Sequence, residues 1–266
     1  MQLLPSFTTL TPEKILSSVE EFCGFFLNGV LTPYNSYINR VYGIQNDETD
    51  ERYIVKFYRP GRWNRAAVLE EHHFLRQCAD EEIPVIPPIP ARKHHDKKSI
   101  EEGTIGEVDG FLFAVFPLRS GRQLDITSDQ DWVRLGSIIG RMHAVGKRED
   151  TLHRIIGSPE ASTQAHCREL LEKGLVHPNC AEEFKSITQE TLELIQPVFK
   201  ETAISRIHGD CHRGNILDRL EEGLILIDFD DMMMGPPVQD LWLLLPGHLT
   251  DCRTEMDLLL YGYTQF

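Results

Sequence analysis

The sequence predicts an α+β chain, rich in strands up to about residue 117 and largely helical beyond it. Short alternating apolar runs, bounded by turn residues, recur between Pro33 and Pro117. After residue 120 the apolar residues recur instead at helical spacing. A chain of 266 residues can also hold two lobes around a cleft. The expected division is an N-terminal lobe, 1–117, and a C-terminal lobe, 118–266. The hinge falls at Pro117–Gly121, where the strand pattern breaks.

Thr11-Pro12-Glu13 is a helix start, with a capping hydroxyl, a proline in the first turn and an acid behind it. Ile15, Leu16, Val19, Phe22, Cys23 and Phe26 continue the helical period, and Asn28-Gly29 is expected to end it. Pro33 to Gln45 reads as two strands around a short turn containing Asn35-Ser36-Tyr37. Tyr53 to Tyr58 is the next strand, with Lys56 inside it. A helix is expected over Arg62 to Ala79, then the extended, proline-rich Glu82 to Pro90. Asp109-Gly110 is a turn, and Phe111 to Phe116 the following strand. Helices are expected over Asp131 to Val145, from Ser158-Pro159-Glu160, and over Ala181 to Phe199, together forming the scaffold beneath the loop that follows residue 207. His72, His73, His94 and His95 lie on different elements with no Cys or carboxylate at ligand spacing, and read as solvated histidines.

The formal charge of -14 argues against a nucleic-acid partner, which would need a basic face. The six cysteines are scattered without a C-x-x-C pair, as for reduced thiols in a cytosol. The N-terminus lacks a basic segment and a long apolar core, so no signal peptide is expected, and no apolar run approaches the ~18 residues of a membrane span. A cytoplasmic monomer, without membrane or nucleic-acid partners, is the resulting expectation.

The chemistry concentrates in IHGDCHRGNILDRLEEGLILIDFDD, residues 207–231. Asn215-Ile216-Leu217 and Leu224 to Phe229 flank the turn Glu221-Glu222-Gly223 and read as a β-hairpin. Such a hairpin would fold Asp228, expected inside its second strand, back beside Asn215. Phosphoryl transfer from ATP needs one carboxylate at the acceptor hydroxyl, and an Asn and a second Asp to hold Mg²⁺ against the phosphates. Asp210, Asn215 and Asp228 are the residue types for those roles at matching spacing. Asp210 is the expected base; Asn215 and Asp228 offer the hard oxygen ligands Mg²⁺ prefers. Lys56, in an otherwise apolar strand, is costly to bury without a partner, and phosphate oxygens with a helix carboxylate would satisfy it. Glu70 and Glu71 are both candidates for that carboxylate.

HGDCHRGNIL, IDFDD and GPPVQDLW together resemble the aminoglycoside phosphotransferase/choline kinase superfamily. NSYINRVY, IVKFYRPGRW, FLFAVFP and GRQLD are similar to the narrower stress response kinase A family of the YihE type. These blocks run from about residue 35 to 245. The resemblance implies a bilobal protein-kinase-like fold, with a nucleotide-binding lobe at 1–117 and a catalytic and acceptor lobe at 118–266, and a protein Ser/Thr hydroxyl as acceptor. It implies that Ser36 contacts ATP phosphate, that Lys56 pairs with the helix Glu, and that the backbone near Val115 to Leu118 faces adenine. The family's spacing of apolar residues after its Glu fits Glu71, with Leu75 and Cys78, better than Glu70. His212 stands where protein kinases often carry a phosphate-touching Lys; a phosphate contact and a loop-ordering role are equally compatible with it. His208 is expected to bond loop backbone, and Asp240 to brace the catalytic loop.

Departures from the kinase pattern also count. The phosphate-covering glycines are missing, and a Ser hydroxyl with turn N–H groups would serve instead. The triplet after the hairpin is Asp228-Phe229-Asp230, and eleven residues separate Asp228 from Asp240, too few for an activation loop. The resembling family normally continues with more helices, so a shortened acceptor side is expected. Two rival readings accompany the protein-kinase one. The first is a small-molecule kinase for an aminoglycoside, choline or homoserine-like alcohol, compatible with the acidic charge. The second is an inactive ATP-binding pseudokinase, disfavoured because Lys56, Asp210, Asn215 and Asp228 are all present.

Overall fold

A computed structural model of the chain describes residues 5–92, 101–219 and 223–266. It is α+β and forms two compact units. Residues up to Asp125 with Ile216–Ile227 make one; Ile126–Asn215 with Asp228–Phe266 make the other. The division therefore falls at 125/126 rather than the expected 117/118, and the hairpin belongs with the first unit.

In the first unit, helix α1 (Pro12–Cys23) is capped by Thr11, whose Oγ1 accepts the Lys14 N–H at 3.4 Å. It ends at Gly24, not at the expected Asn28-Gly29, because Gly24 adopts φ +72, which a β-carbon disfavours. Leu27 then pairs with Asn46 as an isolated bridge. Strands β1 (Thr32–Tyr34), β2 (Arg40–Gln45) and β3 (Arg52–Phe57) are antiparallel neighbours. Helix α2 (Arg65–Asp80) starts three residues later than expected, where the Asn64 side chain accepts the Ala67 N–H at 2.8 Å. Strands β4 (Gly106–Val108) and β5 (Phe111–Pro117) complete a five-stranded sheet, order β1-β2-β3-β5-β4. Ile15, Val19, Val55, Phe57, Phe111, Phe113 and Val115 form its core. Strand β6 (Arg122–Gln123) pairs with the hairpin strand at 216–218, which is why residues 118–125 stay with this unit.

The second unit opens with α3 (Asp129–Gly146), entered through a reciprocal cap between Ser128 and Asp131. A π-turn at Pro159–Thr163 leads into α4 (Gln164–Glu172), and α5 (Ala181–Lys200) follows. The expectation that all three helices carry the catalytic loop is corrected here. No residue of α4 or α5 is buried; they pack on each other and on the π-turn, with Ile187, Leu194 and Val198 exposed. Strand β7 (Ser205–Ile207) follows, then the hairpin strands β8 (Ile216–Asp218) and β9 (Leu224–Leu226), and then β10 (Met233–Gly235). Glu221 and Glu222 of the expected hairpin turn, like His94 and His95, lie outside the described residues. Helices α6 (Val238–Trp242) and α7 (Arg253–Tyr263) end the fold. It is α3 that packs against β7, α6 and α7. A Cβ at Gly136 would overlap the Leu259 carbonyl, and one at Gly262 the Val133 carbonyl, so α3 and α7 touch backbone to backbone. No helix among the described residues is long and apolar enough to cross a membrane.

Candidate active site

Strands β7 and β10 run antiparallel, with Ile207 opposite Met233. The chain leaving β7 and the chain entering β10 therefore emerge at one end of the same ladder. The first is His208–Asn215; the second is Asp228–Met232. The His208 ring packs on Phe229, centroids 4.4 Å apart, and both are buried. A Cβ at Gly209 would overlap the Asp231 carbonyl, so the two segments meet at their backbones.

The sequence places Asp228 inside a strand; the structure does not. Strand β9 ends at Leu226, and Asp228 adopts φ 61, ψ 65 before a 3-10 turn, Phe229–Asp231. That kink turns Phe229 into the buried contact with His208. Among non-glycine residues Asp is one of the few that enter this left-handed region readily, and strain of this kind gathers at functional positions.

The amide nitrogen of Asn215 donates to the Asp210 carbonyl at 2.9 Å and lies 3.4 Å from Asp210 Oδ2. Committing the nitrogen leaves Oδ1 as the oxygen ligand Asn215 can offer. Ile216 pairs with Leu226, so Asn215 and Asp228 leave the same end of the hairpin. The side chain of Asp210 is 45% exposed. His212 Nδ1 accepts the Gly214 N–H at 2.9 Å, which puts the ring proton on Nε2, 3.6 Å from Asp210 Oδ2. Both that bond and Asn215 N–H to His212 O, 2.9 Å, order the loop. His208 Nδ1 accepts the Asp210 N–H at 3.3 Å.

Asp240, wholly buried, accepts the His208 N–H on Oδ2 at 2.7 Å and the Gly209 N–H on Oδ1 at 2.9 Å. Gln239 Nε2 donates to Gly209 O at 2.8 Å. The Arg213 Nε donates to Leu244 O at 3.0 Å, and its guanidinium lies over Trp132. Cys211 is fully buried, and burial, then the charges of Asp240 and Asp210, push its thiol well above the usual range. It cannot serve as a nucleophile in the folded protein. Alkylation at neutral pH should modify the exposed Cys180 and spare Cys211 until the protein unfolds; early labelling of Cys211 by mass spectrometry would contradict this packing.

In the first unit, Lys56 Nζ meets Glu71 Oε1 at 3.0 Å, with side chains 9% and 1% exposed. The ammonium also sits 4.6 Å above the Tyr58 ring and 5.6 Å from that of Phe116. Tyr58 Oη reaches Glu71 Oε1 at 3.5 Å and His72 Nε2 at 3.0 Å, and His72 Nδ1 lies 2.7 Å from Thr104 Oγ1. The reading of His72 as solvated is therefore wrong. It is 1% exposed, because α2 turns it with Glu71 toward the sheet. Removing one member of a buried pair strands the other charge. Glu71→Ala should cost about 3 kcal/mol in urea unfolding; a loss below about 1 kcal/mol, the range of exposed pairs, would contradict the burial. Ser36 lies in the turn between β1 and β2, where its Oγ accepts the Asn39 N–H at 3.2 Å and keeps its own proton to donate. Asn39, buried, in turn accepts the Arg59 N–H at 3.1 Å.

Periodicity and spacing bring out Lys56, Asp210, Asn215 and Asp228 but give no sign of the links from His143 and Tyr263 to Asp240 or from His72 to Thr104. Those contacts span long stretches of chain between residues with no motif of their own.

An α+β chain with this loop is a phosphotransferase of the kinase type. The model of the phosphotransferase enzyme family matches residues 30–264. The chain belongs to that family, and within it to the stress response kinase A group. It is 37% identical over 264 residues to stress response kinase A of Escherichia coli (strain K12), covering 98% of this chain and 76% of that protein. It is 34% identical over 263 residues to the serine/threonine protein kinase RdoA of Salmonella typhimurium (strain LT2), with the same coverage. Among solved structures, an amicoumacin kinase with AMP-PNP and Ca²⁺ superposes with a TM-score of 0.72 at 20% identity, covering 95% of this chain and 77% of that one. Spectinomycin phosphotransferase with ADP and spectinomycin gives 0.64 at 15%, covering 97% and 81%.

Proposed function

We propose that the chain is an ATP- and Mg²⁺-dependent serine/threonine protein kinase, acting as a cytoplasmic monomer. The observation that carries this is the convergence of Asp210, Asn215 and Asp228 at one end of the β7–β10 ladder, with Asn215 bonded to Asp210. The protein acceptor is supported by the relatives named stress response kinase A and serine/threonine protein kinase. Six free thiols suit a reducing compartment.

Asp210 orients the acceptor hydroxyl and takes its proton as the oxygen attacks the γ-phosphorus and the bond to ADP breaks. Asn215, through Oδ1, and Asp228, through its exposed carboxylate, are hard oxygen donors that fit Mg²⁺. When bound, the cation neutralises charge on the phosphates. Lys56, held by Glu71, and the Ser36 hydroxyl are assigned to the phosphates of ATP. His212 is assigned a loop-ordering role first, because its Nδ1 is committed to the Gly214 N–H. Incubation with labelled ATP, a generic protein substrate and a panel of small alcohols tests the reading. Label on protein Ser or Thr is expected; label only on an alcohol would replace the protein-kinase reading, and ATP binding without any transfer would indicate a pseudokinase.

A further inference from the structure

We infer that His143 on α3 and Tyr263 on α7 are positioning residues for the Asp210 loop, acting through the buried carboxylate of Asp240. The inference rests on the reading of that loop as the transfer site. Asp240 Oδ2 already accepts the His208 N–H, and it lies 2.9 Å from His143 Nε2. A carboxylate only accepts, so Nε2 carries the imidazole proton. Nδ1 is then the ring nitrogen that faces the phenol, and Tyr263 Oη stands 3.1 Å from it. Burial, then the Asp240 charge, push the Tyr263 phenol up, so it keeps its proton. The result is a chain that links Tyr263 Oη to His143, runs from His143 N–H to Asp240, and brings the loop N–H groups of His208 and Gly209 to the same carboxylate.

The packing fixes each link. His143 and Asp240 are both wholly buried, and the His143 and Tyr263 rings meet edge to face at 5.6 Å. A Cβ at Gly140 would stand 2.5 Å from the Tyr263 carbonyl, so α7 lies close enough for the phenol to reach across. Asp240 with two donors from the loop and one from His143 has a single favoured orientation. Asp210 follows Gly209 directly, so that orientation sets where the catalytic carboxylate stands.

Tyr263→Phe, His143→Ala and His143→Gln test this, with the exposed Tyr261→Phe on α7 as control. Three quantities are read: amide hydrogen exchange at His208 and Gly209, the kinetics of transfer, and ATP affinity. Tyr263→Phe should lower kcat by about fivefold, the worth of one hydrogen bond. His143→Ala should lower it by about 100-fold, the effect of displacing a reacting group by ~1 Å. ATP affinity should hold within about twofold if uniform binding is untouched. Glutamine at 143 can restore the N–H to Asp240 and should recover at least about tenfold over alanine, or ~1.4 kcal/mol. Exchange at His208 and Gly209 should quicken in Tyr263→Phe and His143→Ala and remain native in Tyr261→Phe. Native exchange in both of the first two overturns the inference, as does a kcat loss that glutamine fails to recover and that tracks ATP affinity. If exchange responds as expected but Asp210→Asn still transfers phosphate, the reading of the loop fails and the brace stands.

Discussion

Asp210→Asn is expected to lower phosphoryl transfer by roughly 10²–10⁴-fold, the usual worth of a positioned base, while ATP·Mg²⁺ still binds. The asparagine retains the shape and the bond from the Asn215 amide to the residue 210 carbonyl, so the loop need not move. It loses only the basic carboxylate that we propose takes the acceptor proton. Asp228→Asn separates from it because Asp228 is the carboxylate we propose for the cation. There, nucleotide affinity in the presence of Mg²⁺ should drop by at least about tenfold, or ~1.4 kcal/mol, with little change in its absence. Titration of ATP into both variants, with and without Mg²⁺, reads the two effects independently of turnover. Equal loss of binding in both variants would show that the roles of the two carboxylates are wrongly divided.

The contrast between these residues and their supports shows what a sequence makes legible. Asp210, Asn215 and the hairpin leading to Asp228 lie within a few tens of residues, and their spacing is set by backbone geometry that local rules describe. The start of α1 at Thr11 and the cap at Ser128 are equally local. Burial of His72 is not local: it follows from α2 packing on a sheet built from several separated strands. The left-handed turn at Asp228 accompanies the seating of Phe229 on His208, a contact across the ladder that local spacing does not show, so the apolar run up to Phe229 reads as continuous strand. The helical spacing in α5 was legible, but periodicity alone does not tell which face, if any, finds a partner, and its Leu194 and Val198 remain exposed.

Gly209→Ala should impair stability, transfer and Mg²⁺-dependent nucleotide binding together. Gly209 holds φ +86, where an L side chain costs about 1–2 kcal/mol, and its new Cβ would overlap the Asp231 carbonyl. Relief requires parting the β7 exit from the β10 entry, which strips the Gly209 N–H from Asp240 and moves Asp210 and Asp228 together. A stability loss of about 2–4 kcal/mol follows, from backbone strain plus a buried bond broken. Transfer and Mg²⁺-dependent nucleotide binding should fall together, unlike the split expected from Asp210→Asn. Gly29→Ala supplies the comparison, since Gly29 has φ +79 with nothing within 4 Å of the added carbon. It bears the conformational cost alone and should leave transfer intact. If Gly209→Ala proves no more damaging than Gly29→Ala in thermal unfolding and in transfer, the two segments cannot be in the close backbone contact on which the site depends.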